Sequence, residues 1–125
     1  MGLQAFLLVG IGGACGAMAR YGVGLLVKSP VTAFPWATFG VNIVGSLLMG
    51  ALMGWLSRRS VANEAMRLLL AVGLLGGFTT FSAFSMELLN LLEKREFWVG
   101  FGYAGGSVLG GLAAFAAAFL LVRAA

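Results

Sequence analysis

The chain has 125 residues, 61% of them hydrophobic and only 10% charged, with a net charge of +4 and a mean hydropathy of +1.02, whereas soluble domains run at about 45–50% apolar and about 25% charged. That balance excludes a water-soluble globular domain and turns the question from burying a core to crossing a bilayer. There is no His and no Asp, and Cys15 is the single cysteine, so disulfides, thiolate metal centres and His-based catalysis are excluded and the chain does not read as an enzyme.

A spanning helix needs about 20 mostly apolar residues, so four of them with short turns use nearly all of the chain. The expectation is one all-α transmembrane domain over residues 1–125. The first span, residues 3–28, lacks the basic n-region of a secretory signal and runs as long as a full crossing. Phe6 stands where a myristoylation signal wants Ser or Thr, so the segment reads as a retained helical anchor. A turn holding Pro30 and Pro35 leads to the second span, residues 36–57, with both prolines outside the helices. The third span covers residues 65–92, and the fourth covers 97–122 before Arg123 closes the chain.

Four spans put both termini and the loop between the second and third helices on one side, with Arg58, Arg59, Arg67 and Arg123. Lys28, Lys94 and Arg95 collect on the other. Basic residues scattered at helix ends indicate interfacial anchoring, not nucleic-acid binding. Four against three is nearly no bias, so the positive-inside rule chooses no orientation. A chain that inserts both ways can build an antiparallel dimer, a closed two-fold pair with its axis in the membrane plane.

Glycine is the second compositional signal, at 20 residues, many in four-residue spacing: Gly12/Gly16, Gly50/Gly54, Gly73/Gly77 and Gly102/Gly106/Gly110. Such spacing lets helix backbones approach closely, and Cys15 reads as one more small packing residue. Gly76-Gly77 is set apart. It opens the run Gly76-Gly77-Phe78-Thr79-Thr80-Phe81-Ser82-Ala83-Phe84-Ser85, where paired glycines, β-branched threonines and hydroxyls interrupt a Leu-rich helix. One reading is a helix break, whose exposed backbone groups must then face protein, water or an ion; the other is a kink with Ser and Thr bonding back to their own helix.

Phe81 and Phe84 share a face at i and i+3, as packing or as ring edges turned to an anion. Asn42 is the only amide in a spanning core, with Thr38 and Ser46 one turn to either side. Tyr103 and Ser107 form a second polar stripe on the fourth span, and each stripe serves either interhelical hydrogen bonding or a ligand. Two ionisable residues lie within spans, Arg20 and Glu87, a functional signal by default. Arg20 either snorkels to the interface or draws anions to a pore mouth. Glu87 pairs with a basic group or lies in a wet vestibule.

Together these residues resemble the Fluc (CrcB) family of microbial fluoride channels. The likeness is carried by Gly12-Gly13 with Gly16-Ala17-Met18-Ala19-Arg20-Tyr21, Asn42-Ile43-Val44-Gly45, the run from Gly76 to Ser85, and Tyr103-Ala104-Gly105 with Ser107, so all four spans take part. The resemblance implies a dual-topology antiparallel homodimer with two fluoride pores and a structural sodium ion at its centre. Main-chain carbonyls at Gly76 and Thr79 match the sodium ligands, at the third-helix break. Asn42, Phe81 and Phe84 match pore residues, and Tyr103 and Ser107 match a polar track. Ser82 and Thr38 join the pore set, Thr38 towards the vestibules, where Arg20 and Glu87 also match. Gly111 departs from the pattern, standing where many relatives carry a further hydroxyl.

The implied activity is passive exit of cytoplasmic fluoride through the cell's inner membrane, protecting against fluoride that enters as neutral HF. The physics is coherent, since a small, strongly hydrated anion needs replacement donors, and amide N–H, hydroxyls and ring edges are what three of these helices supply. A small dual-topology multidrug exporter has similar length, but it depends on a carboxylate in the first helix, where this chain's only ionisable residues are Arg20 and Lys28. A purely structural subunit would use the glycines and leave the Thr-Phe-Ser run unexplained.

Overall fold

Apolar runs free of internal proline give long helices. The computed structural model describes residues 2–28, 34–59 and 63–125, so Pro30 lies outside the described residues. Helix α1 is Gly2–Leu26 and α2 is Trp36–Ser57, with Pro35 immediately before its first residue, where the missing N–H of proline removes no helical bond. The third span, Glu64–Glu93, divides into α3, residues 64–78, and α4, Phe81–Glu93. Helix α5 is Phe97–Ala124. These make four helical spans long and apolar enough to cross a membrane.

Helix α3 is not uniform. Asn63 caps its start by accepting the Met66 N–H at 3.0 Å, the ordinary use of an Asn side chain at a helix N-terminus. Arg67–Leu75 is then wound as a wider π-helix, and Gly76–Phe78 returns to α geometry. The turn from α4 to α5 closes with Arg95 N–H on the Leu92 carbonyl at 3.1 Å and Glu96 N–H on the Leu91 carbonyl at 2.9 Å. This is a Schellman cap, and Arg95, at φ 59°, fills the left-handed position that glycine usually takes.

The helices associate as two tight pairs, α1 with α3 and α2 with α5, while α4 leans on α5. Glycine sets both seams. A Cβ on Gly12 or Gly16 would run into the Leu69 or Leu74 carbonyl, and one on Gly77 would stand 2.5 Å from the Gly13 oxygen. Across the other seam, Gly50 and Gly54 face the carbonyls of Phe115 and Phe119. Backbones in direct contact gain dispersion that any side chain would forbid. Gly102, at the same spacing, has open space within the chain where a Cβ would be. Cys15 is free and exposed on α1.

Between α2, α4 and α5 lies an aromatic cluster around Tyr103, fully buried, and Phe84. Their ring centroids are 5.0 Å apart, and Phe34 meets Tyr103 edge-on at 5.4 Å. At the end shared by α2 and α5, Arg59 lies over the Trp55 ring and Arg123 over Phe119, the aromatic and cationic pairing suited to a headgroup layer.

Candidate functional site

The third span breaks at Thr79–Thr80. Of the paired glycines and threonines expected to interrupt the helix, the threonines carry the break: Gly76 is α-helical, at φ −62° and ψ −39°, and no glycine among the described residues has positive φ. Gly77 is a seam residue instead. The two threonines are extended, Thr79 at φ −81°, ψ 155° and Thr80 at φ −148°, ψ 122°, and neighbouring groups hold them there. Thr79 N–H and Oγ1–H both bond to the Leu75 carbonyl, at 3.1 and 3.0 Å. Thr80 Oγ1 accepts the Ala83 N–H at 3.1 Å and so caps α4.

Asn42, arriving on α2, grips the break by both ends of its amide. Its Nδ2 donates to the Thr80 carbonyl at 2.9 Å and its Oδ1 accepts the Thr80 N–H at 2.8 Å. The amide oxygen thus replaces the helical acceptor that the Thr80 N–H forgoes, and the amide nitrogen adds a donor to its carbonyl. Approach of α2 to this point is possible because Gly45 lies against the Thr79 methyl. From the other side, Arg20 Nε donates to the Gly77 carbonyl at 3.3 Å.

The break also frees carbonyls. In a continuous helix the Gly76 oxygen would receive the N–H of Thr80 and the Thr79 oxygen that of Ala83. Those donors go to Asn42 and to Thr80 Oγ1. Two main-chain oxygens at the break therefore lose their helical donors. Among the described residues no group of three or more His, Cys, Asp or Glu side chains forms a cluster that would hold a metal ion.

A groove of about 320 Å³ opens beside the break, lined by Asn42, Ser46, Thr79, Phe81, Phe84 and Ser107 among others. Its walls carry no charged side chain. The Ser107 hydroxyl oxygen is buried and has no hydrogen-bond partner. Asn42 has a second Nδ2 hydrogen beyond the one given to Thr80. Phe84 is 8% exposed and Phe81 is 78% exposed, with ring centroids 5.6 Å apart, so the pair reaches from the core to the outer face. Ser46 stands beside Gly111, 3.4 Å from where a Cβ there would sit.

Other residues singled out from sequence lie away from this groove. Tyr103 is fully buried and donates its hydroxyl to Glu87 Oε1 at 3.1 Å, and Thr38 pairs with the same hydroxyl. Glu87 is thus partnered by a phenol and not by a basic group. Ser82 is exposed and lies 3.3 Å from Thr80 Oγ1. Arg20 and Thr38 line a separate pocket of about 330 Å³ between α1, α2 and α4. Sequence reasoning did not find the roles of Thr80 as the gripped peptide or of Gly45 as the point of close approach. The pairing joins positions 38 residues apart, and no local spacing signals it.

A family model described as CrcB-like protein, Camphor Resistance (CrcB), matches residues 7–119. Curated relatives named fluoride-specific ion channel FluC align over nearly the whole chain. That of Novosphingobium aromaticivorans is 49% identical over 113 residues, covering 88% of this chain and 89% of its own. That of Phenylobacterium zucineum is 49% identical over 123 residues, 97% of each chain. The protein of Thermus thermophilus is 48% identical over 113 residues, 90% of this chain and 88% of its own.

Proposed function

The chain belongs to the CrcB-like family, and from that premise we propose that it is a fluoride-selective channel of the cell's inner membrane, through which cytoplasmic fluoride leaves passively. The observation that carries this reading is the Ser107 hydroxyl, buried without a partner in a neutral polar groove. A buried donor left unpaired costs about 1–3 kcal/mol, and an anion in the groove relieves that. The spare N–H of Asn42 and the ring edges of Phe81 and Phe84 add weak positive potential along the same path. Neutral donors hold a small anion firmly enough to strip its water and loosely enough to release it, which a fixed positive charge in the groove would not. Ser46 offers a hydroxyl beside Gly111, where the family pattern has one on the fourth span.

The working unit is an antiparallel homodimer with two pores. Phe81 stands 78% exposed beside a stretch of non-helical backbone, and lipid cannot satisfy such groups. A second, inverted copy laid on this face covers the break and receives Phe81. The near balance of basic residues at the two ends permits either insertion. The freed carbonyls of Gly76 and Thr79 fit a structural sodium ion, in the manner of unwound membrane helices that present main-chain oxygens to sodium. Bound there, the ion supplies the positive partner those oxygens lack. The chain is not an enzyme, and its polar groups serve passage. An exporter mechanism has no support in α1, whose ionisable group is Arg20.

Reconstitution tests this reading. Purified protein in liposomes is expected to release fluoride down its gradient, as read by an ion-selective electrode, without releasing chloride. No flux, or flux that needs a proton gradient and a cationic substrate, would overturn it.

A further inference from the structure

We propose that Arg20 is a positioning residue: its guanidinium caps the end of α3 at the break, and it is the donor at Nε, not the net charge, that does so. A helix ends with carbonyls that have no intrahelical donor. Gly77 is the penultimate residue of α3, and its carbonyl accepts from Arg20 Nε at 3.3 Å. Arg20 makes no ion pair among the described residues, so within its span this carbonyl is the polar contact it has.

The glycine seam delivers it there. One turn before Arg20, a Cβ on Gly16 would stand 2.7 Å from the Phe78 nitrogen, and Gly13 touches Gly77. Helix α1 therefore meets α3 main chain to main chain at its last turn, and the next side chain along that face of α1 lies over the end of α3. The break is then held from both flanks, with Arg20 from α1 on residue 77 and Asn42 from α2 on residue 80. Without the former, the last turn of α3 is free to fray, and the freed oxygens of Gly76 and Thr79 lose their fixed separation. The inference deepens the channel reading and rests on it wherever conduction is concerned, but the mechanical claim stands independently.

Two substitutions separate donor from charge. In Arg20→Gln the side-chain amide nitrogen lies the same number of bonds from Cα as Nε, so the donor stays and the charge goes. In Arg20→Lys the charge stays and the nitrogen lies one bond too far. Hydrogen exchange of the Thr79, Thr80 and Ala83 amides, in full-length protein in lipid nanodiscs, reads local opening of the break. Loss of the hydrogen bond to the Gly77 carbonyl is expected to speed this exchange roughly tenfold in Arg20→Lys and Arg20→Met, while Arg20→Gln stays close to the parent protein. Exchange in Arg20→Lys equal to that of the parent, or Arg20→Gln loosened as far as Arg20→Met, would overturn the proposal. Fluoride efflux is measured in parallel. Flux that follows exchange, low in Lys and retained in Gln, extends the role to conduction; flux that follows charge, retained in Lys and low in Gln, confines Arg20 to attracting anions and refutes positioning in conduction. A parent protein without flux would end the channel reading and leave the exchange result to decide the cap.

Discussion

The seams and the groove are built on opposite principles. Along α1·α3 and α2·α5, glycines bring main chain against main chain, and a single added carbon would overlap a carbonyl oxygen at Gly12, Gly16 or Gly50. Beside Thr79–Thr80 the same molecule leaves about 320 Å³ open and holds its backbone by long side chains reaching in from α1 and α2. Close packing without specific polar pairing gives a scaffold, and specific pairing with room to spare gives a site. Stability is therefore expected to respond to changes in the seams, and conduction to changes in the groove.

The sharpest way to break that contrast is Gly77→Leu, which puts a branched side chain where even a Cβ would stand 2.5 Å from the Gly13 oxygen. The loss is expected to exceed about 4 kcal/mol, seen as little folded protein surviving size-exclusion chromatography. Normal yield would mean that the seam is soft. Next is Asn42→Ala, which orphans the Thr80 N–H and removes one of the donors to the Thr80 carbonyl. With about 1–3 kcal/mol for the unpaired N–H, the thermal midpoint should fall, and liposome flux should fall by at least roughly tenfold while the dimer remains. Ser107→Ala distinguishes the two regions most cleanly. Removing a buried hydroxyl that has no partner should leave stability unchanged or raise it by up to about 1 kcal/mol, yet reduce flux. A destabilised variant with full flux would return Ser107 to the scaffold. The smallest effect is expected far from both regions. Arg95→Gly relieves a left-handed non-glycine residue and should stabilise by about 0.5 kcal/mol, strain relief outweighing the added freedom of the unfolded chain, with flux unaltered.

Spans were legible because bilayer crossing imposes a length and a composition that one sequence displays. The seams were partly legible: four-residue spacing marks Gly12/Gly16 and Gly50/Gly54 correctly, but the same spacing at Gly102 faces empty space, since periodicity says which residues share a face and not what lies opposite. The break was placed in the right run, and of the glycines and threonines read as interrupting the helix it is the threonines that leave it. Glycine merely permits an irregular backbone, whereas Thr80 is held out of the helix by its own cap on Ala83 and by an amide from another span. Glu87 was illegible for the same reason. Its partner, Tyr103, comes from α5, and nothing local to either residue announces the other.

The double bond of Asn42 to one peptide has a consequence for speed. An amide free to rotate would swing towards each arriving ion and relax again after each departure, so every passage would carry a reorganisation barrier. Thr80 presents a donor and an acceptor side by side, and a flipped amide would set N–H against N–H and oxygen against oxygen. The remaining N–H therefore keeps its direction whether or not an ion is near, like the preorganised dipoles of an enzyme's oxyanion site. On the proposed channel reading, dwell time in such a place would follow the depth of the well, not the motion of its walls.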